Sequence, residues 1–166
     1  MPGSRTALTF GILLVGFGLL VLGLVDEFPD RSRLTRVSGP LKSLEKVTSK
    51  GGSLSAIRFS LATDSRRFHY VSKAGQIDSV WSALGQAGRA ELSVLVDPAD
   101  SHSPPLDGRA FHTVLEVRVG DRTIRPYADV AQSWRADNFV GEGLGYGTAG
   151  MGIVLLLFYA WRRYGA

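Results

Sequence analysis

Several places in this 166-residue chain bring together residue types that can do chemistry. Gly145, Gly147 and Gly150 spell GxGxxG, the spacing with which a backbone cradles a pyrophosphate at the start of a helix. Ser43 and Lys46 stand in an SxxK arrangement, which in penicillin-binding enzymes pairs a nucleophile with a lysine. Asp97, Asp100, His102 and Asp107 gather oxygen and nitrogen donors that a divalent cation can use. Arg66, Arg67, Phe68, His69 and Tyr70 interleave basic with aromatic side chains, a mixture suited to single-stranded nucleic acid. His69 and His112 are each a candidate base or ligand.

What these residues can do depends on the elements that carry them. Residues 6–25 and 143–161 contain no charge and no polar stripe at helical spacing. At ~1.5 Å per residue each is long enough to cross a ~30 Å hydrocarbon core, where only a helix satisfies its own backbone. The first stretch exceeds the ~7–15 residue apolar run of a cleaved signal, and Asp26, Glu27, Phe28 and Pro29 make a poor cleavage context. It is therefore read as an uncleaved anchor. The GxGxxG then opens a membrane helix with no strand before it, which removes the nucleotide reading. Gly143, Gly145, Gly147, Ala149, Gly150 and Gly152 are instead read as a helix-packing face, against residues 6–25 or another copy. Gly11, Gly16, Gly18 and Gly23 offer small-residue surface for the first of these.

Charge is distributed around these spans. All 15 acidic residues, and all Lys and Arg except Arg5, Arg162 and Arg163, lie between the two spans, so the middle region is nearly neutral. A nucleic-acid partner calls for a clustered basic surplus there, and none is present. The three flanking arginines suggest cytoplasmic termini and an extracytoplasmic middle domain. Arg31, Arg33 and Arg36 pull the other way. Tyr159, Trp161 and Tyr164, interleaved with Arg162 and Arg163, read as anchors in the headgroup region. No cysteine is present, which excludes disulfides and thiolate metal sites.

The expected organisation is a basic tail (1–5), a span (6–25), a linker (26–33), a β-rich domain (34–135), a linker (136–142), a second span (143–161) and a basic tail (162–166). Within the domain, a strand-like stretch at 34–47 is interrupted at Ser38, Gly39 and Pro40. Residues 54–61 alternate cleanly and point Ile57, Phe59 and Leu61 inward. After Asp64 and Ser65 a return arm covers 67–71. Ile77, Val80, Trp81 and Leu84 fall at i, i+3, i+4 and i+7, predicting an amphipathic helix ended by Gly85 and Gly88. Strands follow at 91–96 and 111–119, separated by a proline- and aspartate-rich loop. A turn at Gly120 and Asp121 leads into residues 122–126, and 127–134 reads as a short helix. This order matches a five-stranded OB-type barrel with its helix between the third and fourth strands; a small open α+β sheet is the alternative.

Residues 34–39, the strand at 90–96 and the turn-and-strand at 120–127 resemble a broad set of bacterial membrane proteins of uncharacterised role, in which two helices bracket a small β-rich domain. The resemblance is one of architecture across the whole chain; it implies a cell inner-membrane location and supplies no catalytic residues. SxxK falls on an extended stretch, without the KTG and SDN companions that its chemistry needs. The 97–107 cluster lacks an EF-hand pattern, and such residues also serve turn chemistry. The expectation is a non-enzymatic membrane protein, without cofactor or resident metal, that presents its domain to a protein or envelope ligand. A membrane-anchored hydrolase or metal-binding protein using the 97–107 loop is the alternative, and an OB-type nucleic-acid binder requires inverted topology.

Overall fold

The computed structural model describes residues 2–25, 27–104 and 107–164, with side chains from Thr6 onward. Two units make up the chain: Phe28–Arg135, and a helical unit formed by the N-terminal segment with residues 136–166.

The Phe28–Arg135 unit is built from six strands: β1 (Thr35–Thr48), β2 (Leu54–Leu61), β3 (Arg67–Val71), β4 (Glu91–Val96), β5 (His112–Val119) and β6 (Arg122–Arg125). Helix α2 (Ile77–Gly85) lies between β3 and β4 in the chain. The sheet runs β3-β2-β1-β4-β5-β6. A further parallel contact, Phe68 opposite His112 and His69 opposite Thr113, joins β3 to β5 and closes the first five strands into a ring. The sixth strand extends β5 as a hairpin, so the expected five strands become six. Gly120, at φ 55°, makes the tight turn that the hairpin requires.

The bounds of β2, β3 and β4 coincide with the stretches 54–61, 67–71 and 91–96 read from the sequence. Ile57, Phe59 and Leu61 are all buried, as their period of two predicts. They meet Phe68, Tyr70, Leu92, Val94, Val114 and Val117 inside the ring, and Val80 and Leu84 of α2 complete this core. Each such side chain contributes roughly 1.5–3 kcal/mol of burial free energy.

β1 corrects one expectation. It runs unbroken through Ser38, Gly39 and Pro40, the residues read as an interruption. Its first half, through Pro40, pairs with β4, and from Leu41 it pairs with β2. Pro40 therefore sits where the strand changes partners. Its carbonyl still accepts from Ala62 N at 2.9 Å. Gly39 lies against the Thr63 side chain so closely that a Cβ there would collide with it. Proline and glycine at this point mark a bend in a shared strand, as at barrel corners generally.

The helical elements also differ from the expected bounds. Helix α1 covers Pro2–Gly23, so Arg5 lies within the helix and the 1–5 tail is absent as a separate element; the Arg5 side chain is outside the described residues. The 26–33 linker contains a 3-10 turn at Arg31–Arg33, capped by Asp30, which accepts from Ser32 N at 2.8 Å. Helix α3 runs without interruption from Tyr127 to Tyr164. The short helix at 127–134, the linker at 136–142 and the second span are thus one element, because residues 127–142 contain no proline and their one glycine, Gly141, does not suffice to stop a helix. Of the C-terminal tail, residues 162–164 are helical, and residues 165–166 lie outside the described set.

In the helical unit, α1 packs on the later part of α3 through two matched series. Gly11, Val15, Gly18 and Leu22 meet Gly145, Ala149, Gly152 and Leu156 in antiparallel order. Both series step by i, i+4, i+7 and i+11, the repeat of a helix–helix seam. A Cβ at Gly152 would lie 2.7 Å from the Gly11 carbonyl oxygen, so the backbones touch where both residues lack a side chain.

Candidate functional site on the outward face of β2 and β3

Alternation along β2 that sends Ile57 and Phe59 inward sends Arg58 outward. Register then places Glu45 of β1 and His69 of β3 directly beside it, so the three form a row across the outer sheet surface. The β4–β5 connection lays His102, Asp107, Arg109 and Phe111 over this row. His102 is held there by a two-bond backbone bridge to Phe111, at 3.0 and 2.9 Å. Asp107 accepts from Arg58 at 2.7 Å and from Arg109 at 2.8 Å. Arg109 also reaches Glu45 at 2.9 Å. The Phe111 ring is buried beside the two guanidiniums, with Arg58 4.8 Å and Arg109 5.4 Å from its centroid. Flat cations over an aromatic face add to the ion pairs beside them.

Electrostatics follow from this geometry. The Arg109 hydrogen bonds hold the Asp107 carboxyl well below the usual carboxylate range. Glu45 is lowered as well, chiefly by its bond from Arg109. His69 Nδ1 lies 3.0 Å from His102 Nε2, so one ring donates to the other. Burial lowers the His69 pKa to about 4, and the charges of His102 and Arg58 push the same way. Its Nε2 is buried with no hydrogen-bond partner among the described residues.

The sequence-predicted residues separate in space. Of the 97–107 donors, His102 and Asp107 come to this face. Asp97 is buried elsewhere, against Arg33 at 3.3 Å, and accepts from Ala99 N in a local turn. His112 Nδ1 faces the Asp97 carbonyl at 3.4 Å, and His69 faces His102. Among the described residues no group of three or more His, Asp or Glu donors converges on a point a metal can occupy. Ser43 contacts the Ser60 hydroxyl at 2.5 Å. Lys46 lies three residues along the same regular strand and so on the opposite face, which separates the SxxK pair. Arg66 is engaged by Asp64 in a forked pair at 2.6 Å, and Phe68 and Tyr70 point into the core, so the basic-aromatic run offers no stacking surface.

Of the helix-packing residues, Gly145, Ala149 and Gly152 lie in the seam with α1, whereas Gly143, Gly147 and Gly150 face open space. The GxxxG step of Gly143 and Gly147 is thus not the surface that meets α1. It is displaced from the seam by the two-residue offset to Gly145, about 200° around a helix. At the end of α3, Arg163 donates to the Tyr159 hydroxyl at 2.6 Å and stacks over Tyr164, while Trp161 lies against Phe158. A separate groove of about 710 Å³ lies between α2 and the β5–β6 hairpin, with Asp78, Ser82, Gln86 and Arg122 among its lining residues.

Sequence reasoning missed Arg58, Glu45, Arg109 and Phe111 as partners of His102 and Asp107. The alternation of β2 was the available signal, since it turns Arg58 outward; nothing local indicates which loop lies across it. Comparison with protein-family models, curated proteins and solved structures finds no match.

Proposed function

We propose that this chain is a two-span integral membrane protein whose middle domain is an OB-type barrel that binds a protein or envelope ligand. The observation that carries the membrane reading is the surface of α1 and α3. Phe10, Leu13, Leu20, Val154 and Leu157 are each about 60% exposed, as are further large apolar residues around both helices. A core helix of a water-soluble protein buries such side chains, whereas lipid solvates them. The ring closed by β3 and β5, with one helix between the third and fourth strands, supports the OB assignment. Charged groups on the outer β2–β3 face are engaged with one another, which favours a binding or scaffolding role over catalysis. The flanking Arg162 and Arg163 support cytoplasmic termini, with the barrel on the opposite side.

Two measurements test this. The protein stays in the pellet after carbonate extraction; recovery of the intact chain in the supernatant overturns the membrane assignment. A cytoplasm-active reporter fused to the C-terminus is functional and a periplasm-active one is silent; the opposite result inverts the orientation and favours a cytoplasmic nucleic-acid binder. For the binding role, pull-down from solubilised membranes recovers a stoichiometric partner, and its repeated absence counts against that role.

A further inference from the structure

We propose that the His69–His102 contact is an acid-sensitive latch that joins the β4–β5 connection to the outward face of β3 and releases it as pH falls. The inference goes beyond the binding role and holds whether or not that role does. It starts from the position of His69, which is 9% exposed and bonded through Nδ1 to a ring from another segment. Between two neutral imidazoles, one proton is shared along this contact. With a second proton on His69 both ring nitrogens carry hydrogen, so Nδ1 can only donate and Nε2–H has no acceptor among the described residues. That proton also places a positive charge beside Arg58, which lies directly opposite on β2. Hydrating the ring relieves both costs, and that requires His102 to move away.

The surrounding groups limit other responses in the same range. From β2 and β1, Arg58 and Glu45 face the site; from the connection, Asp107, Arg109 and the Phe111 ring do so; from β5, Thr113 is the register partner. His112 faces the Asp97 carbonyl, Asp97 pairs with Arg33, and Asp64 pairs with Arg66. Asp107, Glu45 and Asp64 are all held below the ordinary carboxylate range by arginine hydrogen bonds, so these ion pairs persist while His69 takes up its proton. Asp107 keeps its hold on Arg58 while His102 leaves, which confines the release to the arm that carries His102.

The sign follows from linkage. In the latched form His69 binds its proton only near pH 4, whereas a hydrated ring binds it near 6.5. The released form therefore holds more protons between these values, and the latched-to-released ratio falls about tenfold per pH unit across that window. Above it the ratio is constant.

Amide hydrogen exchange on the full chain in detergent micelles reads this ratio. His102 N–H and Phe111 N–H form the bridge that the latch secures, and Val94 in β4 reports the barrel core. After correction for intrinsic exchange, protection of the two bridge amides falls about tenfold per unit between about pH 6.5 and 4, while Val94 stays protected. In His69→Phe, which keeps a ring but cannot titrate, bridge protection is independent of pH, with unchanged Val94 protection at pH 7.5 as the folding control. Should His69→Phe not fold, His69→Gln, which also cannot titrate, replaces it and shows the same loss of pH dependence. Constant bridge protection in the parent protein, or a parallel fall at Val94, overturns the latch.

Discussion

Gly18 of α1 and Gly145 of α3 approach so closely that a methyl group on Gly18 would stand 2.6 Å from the Gly145 carbonyl oxygen. The contact explains why glycine occupies both positions: close packing is a main source of helix–helix attraction where lipid surrounds the pair. Gly18→Leu is expected to destabilise the helical unit by about 1–3 kcal/mol through overpacking, whereas Gly147→Leu, on an open face, changes stability by less than about 0.5 kcal/mol. Thermal unfolding of both variants in one detergent makes the comparison. Equal effects would remove the seam.

Gly39 and Thr63 form a similar contact at the bend of β1, where Thr63 Oγ1 donates to the Ser38 carbonyl at 2.6 Å. Gly39→Ala forces the threonine aside and is expected to cost about 1–3 kcal/mol. Adding Thr63→Ala recovers part of that loss, because the colliding atoms are gone. A double-mutant cycle by urea denaturation measures the coupling, and strict additivity would show that the two side chains do not meet.

Arg125 is buried and donates to the Ala74 carbonyl at 3.0 Å, the Asp129 carbonyl at 3.1 Å and the Ser133 hydroxyl at 2.6 Å. It thereby fastens the first turns of α3 to the segment after β3. Arg125→Met leaves those acceptors without a donor and is expected to destabilise the domain by about 2–4 kcal/mol. Loss of protection at Val130 and Ala131 amides in hydrogen exchange, beyond that at Val94, would locate the effect at the start of α3; a uniform change would not.

Asp107 predicts an acid limb of its own. Its carboxyl is held below the ordinary value, first by the Arg109 hydrogen bond. The stabilisation is therefore present above about pH 4 and lost as pH falls through the lowered value. Asp107→Asn is expected to be less stable than the parent at pH 7, with the gap narrowing on strong acidification. Chemical denaturation at pH 7 and pH 2.5 checks the sign, and a gap that widens in acid would contradict it.

A period of two was enough to set β2 and a period of 3.6 to set α2, because the hydrophobic effect acts residue by residue along a buried face. By contrast β3 and β4, each with three consecutive buried residues, were legible as short runs bounded by turn signals. The two long apolar helices were legible for the same reason, since their length and lack of charge are local properties. What the sequence left open was every choice between partners. Pro40 looks like a break until β4 and β2 are seen sharing one strand. Gly143, Gly145, Gly147, Ala149, Gly150 and Gly152 read together as a packing face; the neighbouring helix selects Gly145, Ala149 and Gly152 from among them, and no local pattern states that azimuth. Glu45, Arg58, His69 and His102 come from four segments, and only the closed ring and the connection laid across it bring them together. Side-chain period is written within a segment; the pairing of distant segments is decided by the packing of the whole.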